Sequence, residues 1–128
     1  MDFFTLGFPE YPQTAAAEKR LAKKLAGQPF AVVSVGLNPK ENKDQVKEAV
    51  QALGLEWPVI FDGSGVNGPM AKDHGITAMP ANMLIDENGV VLRVGVFGPH
   101  LDDMAMQEVA RVAKGLPSIY PGKKAGGK

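Results

Sequence analysis

The chain has no cysteine among its 128 residues, and that absence removes more chemistry than any residue present adds. It excludes disulfides, thiolate nucleophiles and zinc or iron–sulfur centres held by sulfur. An excess of either charge is also missing: 14 Lys and Arg face 14 Asp and Glu. Binding to nucleic acid or to an anionic membrane rests on a basic excess, so neither partner is expected. His74 and His100 are the only histidines. They show no H-x-x-x-H or carboxylate-rich spacing, so places at helix ends or in loops are expected and no metal or cofactor is. No run approaches the roughly 18 apolar residues of a membrane span, and the amino terminus lacks the charged-then-apolar order of a signal peptide. As written the chain reads as soluble and unexported. A processed chain would have lost any export signal, so the compartment is not fixed, and neither are the physiological partner and the oligomeric state.

What is present fits one domain. A chain of this size buries roughly two-thirds of the surface its unfolded form exposes. Asp2 to Leu6 is short and aromatic and reads as a strand, and Gly7-Phe-Pro-Glu-Tyr-Pro12 breaks it. Thr14, Ala17, Leu21 and Leu25, with Gly27 behind them, predict an amphipathic helix. Phe30 to Leu37 is continuously apolar and β-branched, as a strand covered on both faces should be, so it should lie at or near the centre of a sheet. Asn42 and Gln45 make a capping pair before a second helix carrying Val46, Ala49, Val50 and Leu53, with Gly54 as its stop. Pro58 to Phe61 reads as a short extended segment, and Asn67 is placed to cap a short helix with Pro69 in its first turn. Met83-Leu-Ile85 and Val90 to Val96 then form a hairpin about Asn88-Gly89, read as a type I′ turn with both residues at positive φ. Leu101, Ala105, Val109 and Val112 mark a last helix, with Met104 and Met106 as core and half-buried surface. The domain is set at residues 1–115, and the Pro/Gly/Lys-rich stretch 116–128 reads as a flexible tail.

The stretch Gly75-Ile-Thr-Ala-Met-Pro-Ala-Asn-Met-Leu-Ile-Asp-Glu-Asn-Gly89 resembles the cis-proline loop and following hairpin of the thioredoxin-like superfamily, in its TlpA/ResA-like (redoxin) branch, whose pattern runs G-[IV]-x-x-x-P-x-x-[FM]-L-I-D-x-[DN]-G. The likeness covers about residues 2 to 114. It implies an α/β three-layer sandwich: a mixed sheet of four or five strands flanked by helices, with a parallel βαβ unit and an antiparallel hairpin. It also implies a catalytic Cys-x-x-Cys at the start of the first helix, opposite the proline. Aligned on that pattern without a gap, Phe8 and Tyr11 stand in the two cysteine positions, and Ala16 stands where the family has a later proline.

A phenyl ring has no redox couple, and a phenol with an ordinary pKa near 10 cannot exchange with disulfides. The family's reaction is therefore not expected. Phe8, Pro9, Tyr11, Ala78, Met79 and Pro80 become candidates for a surface that holds an extended polypeptide, with the peptide before a cis Pro80 turned outward to pair with it. Against this stands the plainer reading that Tyr11 and Phe8 fill the space sulfur would occupy and that Pro80 only shapes a loop. Two other classes stay open: a thiol–disulfide oxidoreductase whose cysteines were replaced or lie elsewhere, with a place in the cell envelope if an export signal was removed, and a structural scaffold for assembly. Asp62-Gly-Ser-Gly-Val-Asn-Gly68 lacks both phosphate-binding patterns and reads as a flexible loop. Glu10 has no partner at a catalytic spacing, and Ser34, Ser64 and Ser118 have no nucleophile-elbow context.

Overall fold

Side chains alternate across a strand, and three residues of the first one divide the core. In the computed structural model, which describes residues 1–79 and 81–117 and the backbone pairing of residues 123 and 124, β1 is Asp2–Phe4 and all three of its side chains are buried. Phe3 packs with Val35, Leu37, Ala71, Ala81 and Met83 on one face. Phe4 packs with Tyr11, Ala15 and Val46 on the other.

The chain then runs through α1 (Tyr11–Lys24), β2 (Ser34–Gly36), α2 (Lys43–Leu53), β3 (Val59–Phe61), α3 (Pro69–Asp73), β4 (Ala81–Ile85), β5 (Val90–Val94), α4 (Pro99–Ala113) and β6 (Lys123–Lys124). The strands form one open mixed sheet in the order β3-β2-β1-β4-β5-β6. β1–β2 and β2–β3 are parallel, and β1–β4, β4–β5 and β5–β6 are antiparallel. The apolar run from Phe30 thus does supply an inner strand, although only Ser34–Gly36 is ladder-paired on both sides. α1 and α2 share the Phe4 face, and α4 joins them there through Leu21, Leu25, Ala105 and Val109. α3 lies on the Phe3 face.

Local chemistry departs from the sequence reading at several places. α1 begins three residues before Thr14, because Pro12 occupies its first turn, where a missing N–H is harmless. Asn42 does not cap α2 by a bond to its backbone; its side-chain amide donates instead to Gln45 Oε1 at 3.4 Å. Gly54, at φ 64°, does end α2 in the left-handed conformation. In the hairpin no residue other than glycine has positive φ, so Asn88-Gly89 is not a type I′ turn. Asp86 accepts from the Asn88 and Val90 amides at 2.8 and 2.9 Å, and Gly89 alone takes φ 79°, which is the three-residue hairpin with a glycine bulge. Lys123–Lys124 pairs with Val91 and Val90 inside the stretch read as a tail, whose residues 118–122 and 125–128 lie outside the described residues.

The glycine-rich loop is pinned by one carboxylate. Asp62 Oδ1 accepts from the Ser64 amide at 3.0 Å and Oδ2 from the Met70 amide at 3.3 Å, so Asp62, and not Asn67, satisfies the start of α3. Losing such a cap typically costs about 1 kcal/mol. Asp62→Ala should lower the urea midpoint accordingly, and Asp62→Asn, which keeps an acceptor, should recover most of the loss.

Candidate functional site

The turn from β1 into α1 carries the sequence candidates. The Phe8 amide donates to the Thr5 carbonyl at 3.1 Å, and the Tyr11 amide to the Phe8 carbonyl at 3.3 Å. Leu6 is tied to the next crossover by its amide, which donates to Asn38 Oδ1 at 3.0 Å. Phe8 is half-buried against the cluster of Phe4, Tyr11, Ala15 and Val46, and Met79 reaches that same cluster from the loop before β4. The fold therefore brings Phe8, Tyr11 and Met79 together. Pro9 and Ala78 are exposed. Pro80, and with it the expected cis peptide, lies outside the described residues.

Tyr11 belongs to the core. It is 5% exposed, and its ring stacks on Phe4 with centroids 4.6 Å apart and planes 16° from parallel. Its hydroxyl lies 3.1 Å from both carboxylate oxygens of Asp2 and 3.1 Å from Ser34 Oγ. Burial above all, and then the Asp2 charge, push the phenol well above its ordinary pKa. It stays neutral, so it is no nucleophile.

The network extends further at both ends. Trp57 Nε1 donates to Ser34 Oγ at 2.8 Å. At the other end Glu18, two turns along α1 from Tyr11 and 6% exposed, adjoins Asp2. Among the described residues no donor reaches its enclosed Oε2. Burial, then a hydrogen bond to Asp2 and the Asp2 charge, raise the Glu18 carboxyl far above the usual carboxylate range, with the Met1 ammonium acting weakly the other way. Glu18 therefore keeps a proton that it can give to Asp2. The sequence reading passed over both Glu18 and Trp57. For Glu18 a signal existed: it lies three residues after Ala15 and three before Leu21, on the apolar stripe of α1.

His74 closes α3, with Nδ1 2.8 Å from the Met70 carbonyl oxygen and its ring 5.5 Å from that of Phe3. His100 lies in the first turn of α4. Among the described residues, no group of three His, Asp or Glu side chains is placed to hold a metal ion, and no helix is long and apolar enough to cross a membrane.

No family model matches the chain. It is 28% identical over 88 residues to the thioredoxin-like protein YneN of Bacillus subtilis (strain 168), an alignment covering 68% of this chain and 46% of that protein. The chain thus spans about half the length of this curated relative. Among solved structures it resembles the C-terminal domain of a protein described as a thiol-disulfide oxidoreductase from Bacteroides thetaiotaomicron. The TM-score is 0.78 at 23% identity, over 86% of this chain and 75% of that one. A structure described as a thiol:disulfide interchange protein DsbE from Chlorobium tepidum gives 0.69 at 27% identity, over 85% and 74%. The chain thus has the thioredoxin-like fold of these solved structures, and it has no cysteine with which to run a dithiol reaction.

Proposed function

We propose that this chain is a redox-inactive member of the thioredoxin-like superfamily that holds an extended polypeptide at the surface around Phe8, Pro9, Ala78, Met79 and Pro80, with Tyr11 as the buried floor. One observation carries the reading: the side chain in the second cysteine position is locked, ring against Phe4 and hydroxyl against Asp2 and Ser34, so it is fixed structure with no free reactive group. What remains for a ligand is the half-buried edge of Phe8 and Met79 beside exposed Pro9 and Ala78. An aromatic ring and a flexible thioether suit varied apolar side chains, and an extended partner can add main-chain hydrogen bonds at such a loop.

Two measurements test this. The purified chain should not accelerate the reduction of insulin disulfides by a dithiol reductant above the rate of a protein-free control. Titration with extended apolar peptides should shift the amide resonances of Phe8, Ala78, Met79 and Ala81. Peptide shifts confined to other surfaces would reject the site.

A second reading, an oxidoreductase whose cysteines were replaced, is favoured by the likeness to structures described as thiol-disulfide oxidoreductases. It requires the Phe8→Cys/Tyr11→Cys double variant to reduce insulin well above the rate of the cysteine-free chain.

A further inference from the structure

A cleft of about 550 Å³, with no part of its lining from Phe8, opens between α1, α4, the 28–33 segment and β4. That volume lies within the range of small-molecule sites. Its walls are apolar, formed by Leu21, Phe30, Val32, Met83, Leu101 and Val109. Two buried carboxyls line it, Glu108, which Arg111 engages, and Glu18, more than nine-tenths buried, whose Oε2 has no donor facing it among the described residues. At the mouth the charges are already matched. Arg111 donates to Glu108 at 2.8 Å, to Glu87 at 3.0 Å and to the Leu116 carbonyl at 2.6 Å.

We infer that this cleft is a binding site for a small, uncharged, mainly apolar molecule bearing one hydroxyl group, which donates its hydrogen bond to Glu18. The chemistry follows from what each group lacks. Glu18 gives its own proton to Asp2, so what is missing at Oε2 is a donor and not an acceptor. A buried acceptor left without a donor typically costs about 1–3 kcal/mol, and a ligand hydroxyl supplies that donor. An anion would meet Asp2 and Glu18, while the Arg111 guanidinium is engaged by Glu87 and Glu108 and the Met1 ammonium already donates to the Met83 carbonyl at 2.9 Å. A cation would lose its hydration against apolar walls.

The probes are benzyl alcohol and anisole, neutral molecules of nearly equal size that differ in having or lacking a hydroxyl donor. Methyl-resolved NMR titration of the full chain should show benzyl alcohol shifting Leu21, Val32 and Val109. It should bind about tenfold more tightly than anisole, the ratio expected for one buried hydrogen bond. Glu18→Leu should bring that ratio to about one while both probes still shift the same methyl groups. A thermal melt of the variant establishes that it is folded. Glu18→Gln, whose carbonyl still accepts, should keep the preference. Equal affinity of the probes for the native chain, shifts at other residues only, tighter binding of benzylamine than of benzyl alcohol, or an unchanged ratio in Glu18→Leu would each overturn the assignment. None of these outcomes depends on the polypeptide surface at Phe8 and Met79.

Discussion

Replacing Tyr11 by alanine should destabilise the fold by about 4 kcal/mol, the range found when a large buried aromatic is truncated. Two losses contribute. The ring leaves a void against Phe4, Ala15 and Val46, and the hydroxyl no longer serves Asp2 and Ser34. Tyr11→Phe separates them, since the stack on Phe4 survives and only the hydroxyl goes. Asp2 is 1% exposed, and losing a donor to a buried acid costs about 2 kcal/mol. Urea unfolding of both variants, with the slope m unchanged, measures the two steps. A Tyr11→Phe variant as stable as the parent chain would show that the hydroxyl network contributes nothing to folding. The result bears on the resemblance too: a position that the resembled sequence pattern gives to cysteine would here be a structural anchor.

The second large effect is on pH dependence. The Glu18 carboxyl is raised from an ordinary value near 4.5, chiefly by burial and then by Asp2. Its proton is bound more tightly in the folded chain than in the unfolded one. The stabilisation is therefore fully present below about pH 4.5 and is lost progressively as pH rises toward the folded value. Linkage allows at most about 1.4 kcal/mol per pH unit across that window. Stability should thus fall by about 2 kcal/mol between pH 5 and pH 7. Asp2, the neighbouring phenol of Tyr11 and the Met1 ammonium are the charged or titratable groups that bear on it, and Glu108 shares its cleft. Glu18→Gln keeps the shape and an N–H for Asp2 but carries no titrating proton. Its urea midpoints should be nearly flat over the same range, and the variant should exceed the parent chain in stability at pH 8. Parallel profiles for the two proteins would show that another group sets the pH response.

The fold was legible where periodicity and turn residues acted together. Leu21 and Leu25, Val46 with Val50, and Ala105 with Val109 lie where their spacing puts them. The apolar run ending at Leu37 is an inner strand because both of its faces are covered. The errors come from competition within short segments. Asn88 was read with a two-residue turn in mind, but the Asp86 side chain captures two amides and makes a three-residue loop the better solution. Asp62, two residues from one amide and eight from the other, wins the start of α3 over Asn67 for the same reason. The candidate site was legible only in outline. Motif position brings Phe8, Tyr11 and Met79 to one cluster. The partners of the Tyr11 hydroxyl are Asp2 and Ser34, 9 and 23 residues away, and no local pattern specifies them.

Trp57 is the chain's sole tryptophan, and its indole N–H rests on Ser34, one bond away from the Tyr11 hydroxyl. The protein therefore carries its own optical gauge of the buried polar chain. A proton leaving Glu18, a vacated position 11 or an alcohol seated in the cleft all act on groups linked to that indole, so its emission can follow each of them without any attached label.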